Sequence, residues 1–341
     1  MTILHGHDEP LRTFREAMRG PRLHHAWLLT GPEGVGKASA ALMLATRMLA
    51  EAAGPNPYGD DLLVSPEHPM ARLIAAHSHP DLKRLERLPK DTKILERGRN
   101  EWPEDVELAR SISVDQVRAL GASFANSPSM SRRRVVIIDS VDDLERGGAN
   151  ALLKNLEEPP AGTIFLLISH APGRLLPTIR SRCRVLRFAP LDDAAMTSAL
   201  SAHLPELDAV ERKALLAAGQ GAPGRALHFA GLDLAGIDAV LEQLARDGDP
   251  GNILKTALAG KLASKSAQLR YEAFLDRVPG FIAGRARAMQ GEALGNILET
   301  WESARDLAQG AVQGSLDVTS VVYALCGKVA ALAPPRNNAK A

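Results

Sequence analysis

The chain has 341 residues, 45% hydrophobic and 24% charged, which gives room for two or three domains with a sizeable core. Lys and Arg number 41 against 40 Asp and Glu, a formal charge of +1, which excludes a global electrostatic pull toward nucleic acid or anionic lipid. Aromatic residues, at 4%, are too few for a base-stacking surface. The two cysteines, Cys183 and Cys326, exclude a disulfide framework or a CxxC zinc ribbon and fit a reduced cytosolic compartment.

The first ten residues carry His5, His7, Asp8 and Glu9 and do not read as a signal peptide. Residues 26–30 form a short apolar run that predicts a strand. It leads into Gly31, Pro32, Glu33, Gly34, Val35, Gly36 and Lys37, and residues 38–51 then read as a helix rich in Ala, Leu and Met. Arg47 and Glu51 interrupt that helix and keep it well short of a membrane span. Residues 54–69 read as an irregular insertion, 83–88 as a strand and 89–105 as a charged, solvated loop. Ser113 is placed to cap a helix that starts near Ile112. The β-branched run Val135, Val136, Ile137 and Ile138 predicts a strand ending at Asp139. A helix over 148–158 stops at Pro159 and Pro160, and further strands follow at 163–169 and 185–188. Strands alternating with helices predict a parallel sheet covered on both faces. Beyond Pro190 no strand pattern recurs. The remaining chain reads as helices, with breaks at 219–224 and 247–252 and a frayed tail from 334.

Gly31, Gly34, Gly36 and Lys37 fit the phosphate-binding loop G-x-x-x-x-G-K-[ST] up to its last position, where Ala38 replaces the hydroxyl that coordinates magnesium. Backbone N–H groups and a helix N-terminus bind phosphate in such a loop, and the Lys neutralises its oxygens. Ser39 does not restore the hydroxyl, because one helical step rotates a side chain by roughly 100°. Asp139 ends its strand as a metal-supporting acid would. Ser140 stands where hydrolytic versions place a Glu, and a hydroxyl cannot polarise water as a carboxylate does. Asp142 and Asp143 sit at a different offset and receive no catalytic role. Arg182, between Ser181 and Cys183, is either a solvated charge or a residue able to reach a neighbour's γ-phosphate. Arg225, after Pro223 and Gly224, lies on the first turn of a helix. It is either exposed there or able to reach phosphate bound between domains. Arg132, Arg133 and Arg134 form a compact basic run that fronts a strand or meets a partner.

Asn150, Leu152, Leu153, Lys154, Glu157, Glu158, Pro159 and Pro160, followed by Leu176, Pro177, Thr178, Ile179, Arg180 and Ser181-Arg182-Cys183, resemble the signature of clamp-loader AAA+ proteins. That family includes the bacterial DNA polymerase III gamma/tau and delta-prime subunits and the eukaryotic replication factor C subunits. Ile112, Ser113, Val114, Asp115 and Gln116 resemble a further family block, as do His79, Pro80, Asp81 and Leu82, and the likeness runs in order over about residues 5–230. The resemblance implies an α/β, AAA+ P-loop NTPase-like parallel-sheet domain over 1–190. A small helical lid domain over 191–247, an all-helical collar domain over 248–334 and a disordered tail over 335–341 would follow. Gly31, Gly34, Gly36, Lys37, Asp139 and Arg225 would then form a degenerate nucleotide site, and Arg182 an arginine finger acting in trans.

The departures choose among family members. Ala38 and Ser140 are wrong for an ATP-hydrolysing, gamma/tau-like subunit and fit a delta-prime-like, structural one. No cysteine stands at 52–79, where the family often carries a zinc module, so no zinc is expected, and His68, His77 and His79 read as ordinary surface residues. His170 sits near the position of a polar sensor residue. The resemblance further implies gamma/tau and delta partners in a hetero-oligomeric ring. Contact with the sliding clamp and primed DNA would come mainly through the complex, in the bacterial cytoplasm and away from membranes. Intrinsic ATPase activity is not expected. The cradle is then either a loop that holds ATP or ADP without hydrolysis or a purely structural turn.

Overall fold

The computed structural model describes residues 4–54, 59, 61–103, 106–287, 289–314 and 316–334. The chain divides into two compact units, 1–195 and 196–341, and the expected tail at 335–341 lies outside the described residues.

The first unit is built on five parallel strands in the order β2-β3-β4-β1-β5. They are β1 (Ala26–Thr30), β2 (Leu82–Glu86), β3 (Arg134–Asp139), β4 (Thr163–Ser169) and β5 (Arg184–Arg187). All five residues of β1 and all seven of β4 are buried, as expected of central strands with both faces covered. Seven helices flank them: α1 (Asp8–Arg19), α2 (Lys37–Ala53), α3 (Pro69–Ala75), α4 (Thr92–Leu95), α5 (Val114–Ala122), α6 (Arg146–Glu157) and α7 (Pro177–Ser181). On one face Leu28, Val136, Ile138, Phe165 and Leu167 pack with Val117 and Leu120 of α5, Leu152 and Leu156 of α6, and Ile179 of α7. Leu152 is fully buried in this cluster, so Leu152→Ala is expected to cost about 2–5 kcal/mol of stability. α2 covers the other face through Ala40, Ala41, Leu44, Ala45 and Met48. The expected cap is present: the Ser113 hydroxyl accepts from the Gln116 N–H, and the Gln116 side chain accepts from the Ser113 N–H.

Two carboxylates fix the loops at opposite ends of the strands. Asp81 is 1% exposed and accepts three backbone N–H groups, from Ser129 (2.6 Å), Met130 (2.8 Å) and Ser131 (3.0 Å). It thereby ties the entrance of β2 to the entrance of β3. Asp142 accepts from the Ser140 and Ser169 hydroxyls and from the His170 and Ala171 N–H groups, so it joins the exits of β3 and β4. Its role is to hold those exits together.

The insertion after α2 is pinned by a charge. Buried Arg47 donates to the Gly59 and Asp61 carbonyls, both at 2.8 Å, and pairs with Glu51 at 3.4 Å. His79, expected at the surface, is buried; its Nδ1 accepts the Asp81 N–H and its Nε2 lies 3.1 Å from the Met70 sulfur. His68 caps α3 through Nδ1. The segment expected as a loop over 89–105 contains α4, started by the Asp91 carboxylate, and a 3-10 turn at Arg99–Glu101. Residues 104 and 105 lie outside the described residues. Of the basic run, Arg134 is buried, donates to the Asn126 carbonyl and lies over the Phe124 ring at 5.4 Å; it begins β3.

The second unit is helical. It contains most of α8 (Asp193–His203), then α9 (Ala209–Gly219), α10 (Pro223–His228), α11 (Leu234–Asp247), α12 (Ile253–Leu262), α13 (Gln268–Ala286), α14 (Gly291–Gln313) and α15 (Val318–Ala330). The expected breaks at 219–224 and 247–252 coincide with the α9–α10 and α11–α12 turns. α13 and α14 form an antiparallel hairpin, and α15 packs on α11, α12 and α14 through Val322, Leu325 and Val329. No helix among the described residues is long and apolar enough to cross a membrane.

Candidate functional site

The glycine-rich loop joins the end of β1 to the start of α2. A β-carbon at Gly31 would come within 2.1 Å of the Phe188 carbonyl oxygen, just beyond β5, so no larger residue fits there. Gly36 has φ +110°, a left-handed backbone that favours glycine, and lies beside the Leu4 side chain. His7 bonds the Val35 carbonyl at 2.8 Å and packs against Phe188, which fastens the N-terminal segment to the loop; burial pushes its pKa down.

Lys37 is the first residue of α2 and is 2% exposed. Its ammonium donates to the Gly31 carbonyl at 2.6 Å and to the Pro32 carbonyl, so the lysine closes its own loop. Burial lowers its pKa to about 8, opposed first by Asp139 and then by Glu33 and Asp142. Asp139 therefore lies close enough to Lys37 to act on it, and the structure brings Gly31, Gly34, Gly36, Lys37 and Asp139 to one end of the sheet.

Two features depart from the ordinary metal-binding arrangement of such a loop. Ala38 offers only a methyl group, and Ser140 is 3% exposed with its hydroxyl turned to Asp142 at 3.2 Å. A third feature was not anticipated from the sequence. Arg84 of β2 reaches across to β3, with Nη2 3.2 Å from the Asp139 carboxylate and 3.4 Å from that of Glu86. Arg99 also donates to Glu86 through two hydrogen bonds of 2.7 and 3.1 Å, so the two arginines and the two carboxylates form one network. The sequence carried a signal for this. Leu82, Arg84 and Glu86 share one face of a strand in a covered parallel sheet, where charges require partners.

Arg182 is at the other end of the sheet. β5 runs parallel to β1, with Arg184 beside Trp27 and Arg187 beside Thr30, so Arg182 precedes the strand's start while the loop follows β1's end. At about 3.3 Å per residue, the four steps from Arg184 to Phe188 put the start of β5 roughly 13 Å from the Gly31 turn, and Arg182 lies before it. Its guanidinium is about one-third exposed, donates to the Thr178 carbonyl at 3.0 Å and pairs with Glu157 at 2.6 Å. Next to it, burial pushes the Cys183 thiol up to about 12. Arg225 belongs to the second unit, where it pairs with Asp276 and lines a cavity of about 630 Å³ with Gln220, Pro279, Trp301 and Arg305.

Comparison with known proteins adds to this geometry. The family described as DNA polymerase III, delta subunit, matches residues 6–192. The chain is 37% identical over 214 residues to DNA polymerase III subunit delta' of Pseudomonas aeruginosa, covering 61% of this chain and 57% of that protein. It is 33% identical over 179 residues to subunit delta' of Bacillus subtilis, covering 52% and 46% of the two chains. It is 29% identical over 296 residues to subunit tau of Salmonella typhimurium, covering 85% and 41%. The matches span about half the length of these curated relatives. The crystal structure of a gamma-subunit-related DNA polymerase III protein from Thermotoga maritima aligns over 95% of this chain and 99% of its own, with 14% identity and a TM-score of 0.48.

Proposed function

The chain belongs to the DNA polymerase III delta-subunit family, and from that premise we propose that it is a delta-prime-like clamp-loader subunit that lends Arg182 to a neighbour's ATP site. In this reading it stands in a hetero-oligomeric ring with gamma/tau and delta subunits in the bacterial cytoplasm. The ring uses ATP to load a sliding clamp onto primed DNA, and this chain meets clamp and DNA mainly through the assembly. The carrying observation is the separation of Arg182 from its own loop, at opposite ends of the sheet. A guanidinium there cannot serve phosphate bound in its own subunit, whereas its planar fork suits the spread charge of phosphate in an adjacent one. Its present partner, Glu157, is half exposed, and such a pair is weak enough to exchange for phosphate.

A gamma/tau-like, hydrolysing role is opposed by Ala38, by the buried hydroxyl of Ser140 and by the Arg84–Asp139 pair. An independent DNA-binding role is opposed by the use of Arg134 inside the first unit. The test is reconstitution with gamma/tau and delta subunits, followed by ATPase assay of the assembly with Arg182→Ala. Copurification of the ring with ATPase reduced by about 10³-fold or more is expected. Unchanged turnover in a fully assembled ring rejects the role of Arg182, and failure to assemble rejects the ring itself.

A further inference from the structure

Magnesium is the cation a phosphate-binding loop ordinarily holds, through the hydroxyl after its lysine and the waters around the strand-end acid. The residues present here do not fit it. Magnesium requires near-octahedral oxygen ligation and keeps several waters. The position after Lys37 carries a methyl group, and the Asp139 carboxylate already faces a guanidinium at 3.2 Å. Arginine stays charged at any physiological pH, so this partner cannot leave by deprotonation. A dication brought to Asp139 would also meet the positive charges of both Arg84 and Lys37.

We propose that Arg84 takes the place of the divalent cation, making this loop a magnesium-independent site for a nucleoside polyphosphate. The parts that recognise phosphate do not depend on a metal: the amides of the loop, the start of α2 and the Lys37 ammonium. Lys37 can exchange the Gly31 and Pro32 carbonyls for phosphate oxygens, since those carbonyls are its hydrogen-bonding acceptors in the loop itself. Arg84 has the remaining task of cancelling Asp139, whose bare carboxylate would repel the phosphates. Arg99 supports it by sharing Glu86, the second acid within reach of Arg84, and so neutralises part of that competing charge. Glu33 and Asp142 also bear on Lys37, but Asp142 is saturated by four donors of its own. Arg84 is thus a positioning residue for phosphate binding. The inference deepens the non-hydrolysing reading of this loop and is independent of whether the ring assembles.

The experiment is calorimetric titration of ADP into the purified full chain, once with magnesium and once with EDTA. Wild-type affinity is expected to agree within about twofold between the two conditions. Arg84→Met is expected to lose about tenfold or more in EDTA and to recover with magnesium, because the exposed carboxylate then needs a cation. Arg84→Met combined with Asp139→Asn restores binding in EDTA, and so does Arg84→Lys, which keeps the charge. Circular dichroism checks that each variant is folded, and the wild-type comparison stands even if Arg84→Met does not fold. The proposal is overturned by absence of ADP binding in both conditions, by tenfold tightening of wild type with magnesium, or by a folded Arg84→Met that binds like wild type in EDTA. None of these outcomes bears on copurification with loader subunits, which tests the ring separately.

Discussion

The two ends of the sheet in the first unit treat charge in opposite ways. At the loop end, Lys37 is buried against two carbonyls, Asp139 faces Arg84, and Asp142 accepts four hydrogen bonds. At the far end, Arg182 is partly exposed and held by one carbonyl and one exposed carboxylate. Charges consumed within the subunit hold its shape, while a charge that is loosely held remains available to another molecule. The difference is what the proposed division of labour requires: charges tied up at the chain's own loop and a guanidinium left accessible at the far end.

The strongest attempt to break this comparison is Arg182→Ala. It should lower turnover of the assembled loader by about 10³-fold while hardly moving the melting temperature of the isolated chain. A large loss of stability instead would make Arg182 a structural residue like those at the loop end. Next in size is Asp142→Ala, which strands two hydroxyls and two amides at the exits of β3 and β4. It should cost about 3 kcal/mol in denaturant unfolding, and a cost below ~1 kcal/mol would erase the contrast.

A pH series sharpens the loop end. Burial lowers the folded-state pKa of Lys37 from its ordinary value of 10.5 to about 8. Between those values the unfolded chain binds more protons at this residue than the folded one, so stability rises with pH there. The melting temperature of wild type relative to Lys37→Met should therefore climb from pH ~8 to ~10; a flat difference would mean that burial does not act on this ammonium. The smallest effect belongs to Glu157→Gln, which removes an exposed partner of Arg182. It should change stability by no more than about 1 kcal/mol, as read by urea unfolding.

Much of this site was legible before any coordinates. The glycine spacing, the missing hydroxyl at Ala38, the strand ending at Asp139 and the cap at Ser113 are local patterns, each set by a few consecutive residues. Arg84 escaped because its partner is 55 residues away, and only the β2–β3 register brings the two together. His79 and Asp81 were seen as part of a family block, but their use is tertiary: one is buried beside Met70, and the other collects amides from residues 129–131. The short helix α4 has no sequence signal because four helical residues carry almost no periodicity. For Arg225 the first-turn position leaves two readings, an exposed charge or a phosphate contact; its pairing with Asp276 of α13 depends on packing that no local pattern reveals.

The surroundings of the two cysteines, Cys326 buried and Cys183 half-buried, have a practical consequence. Burial raises the Cys183 and Cys326 thiols to about 12, which leaves almost no thiolate to react near neutral pH. Slow alkylation of both native thiols near neutral pH is the expected outcome. A single cysteine placed at position 157, beside Arg182, would be the main reactive thiol without first stripping the native ones. A fluorophore there would report, in real time, any molecule that closes over that edge.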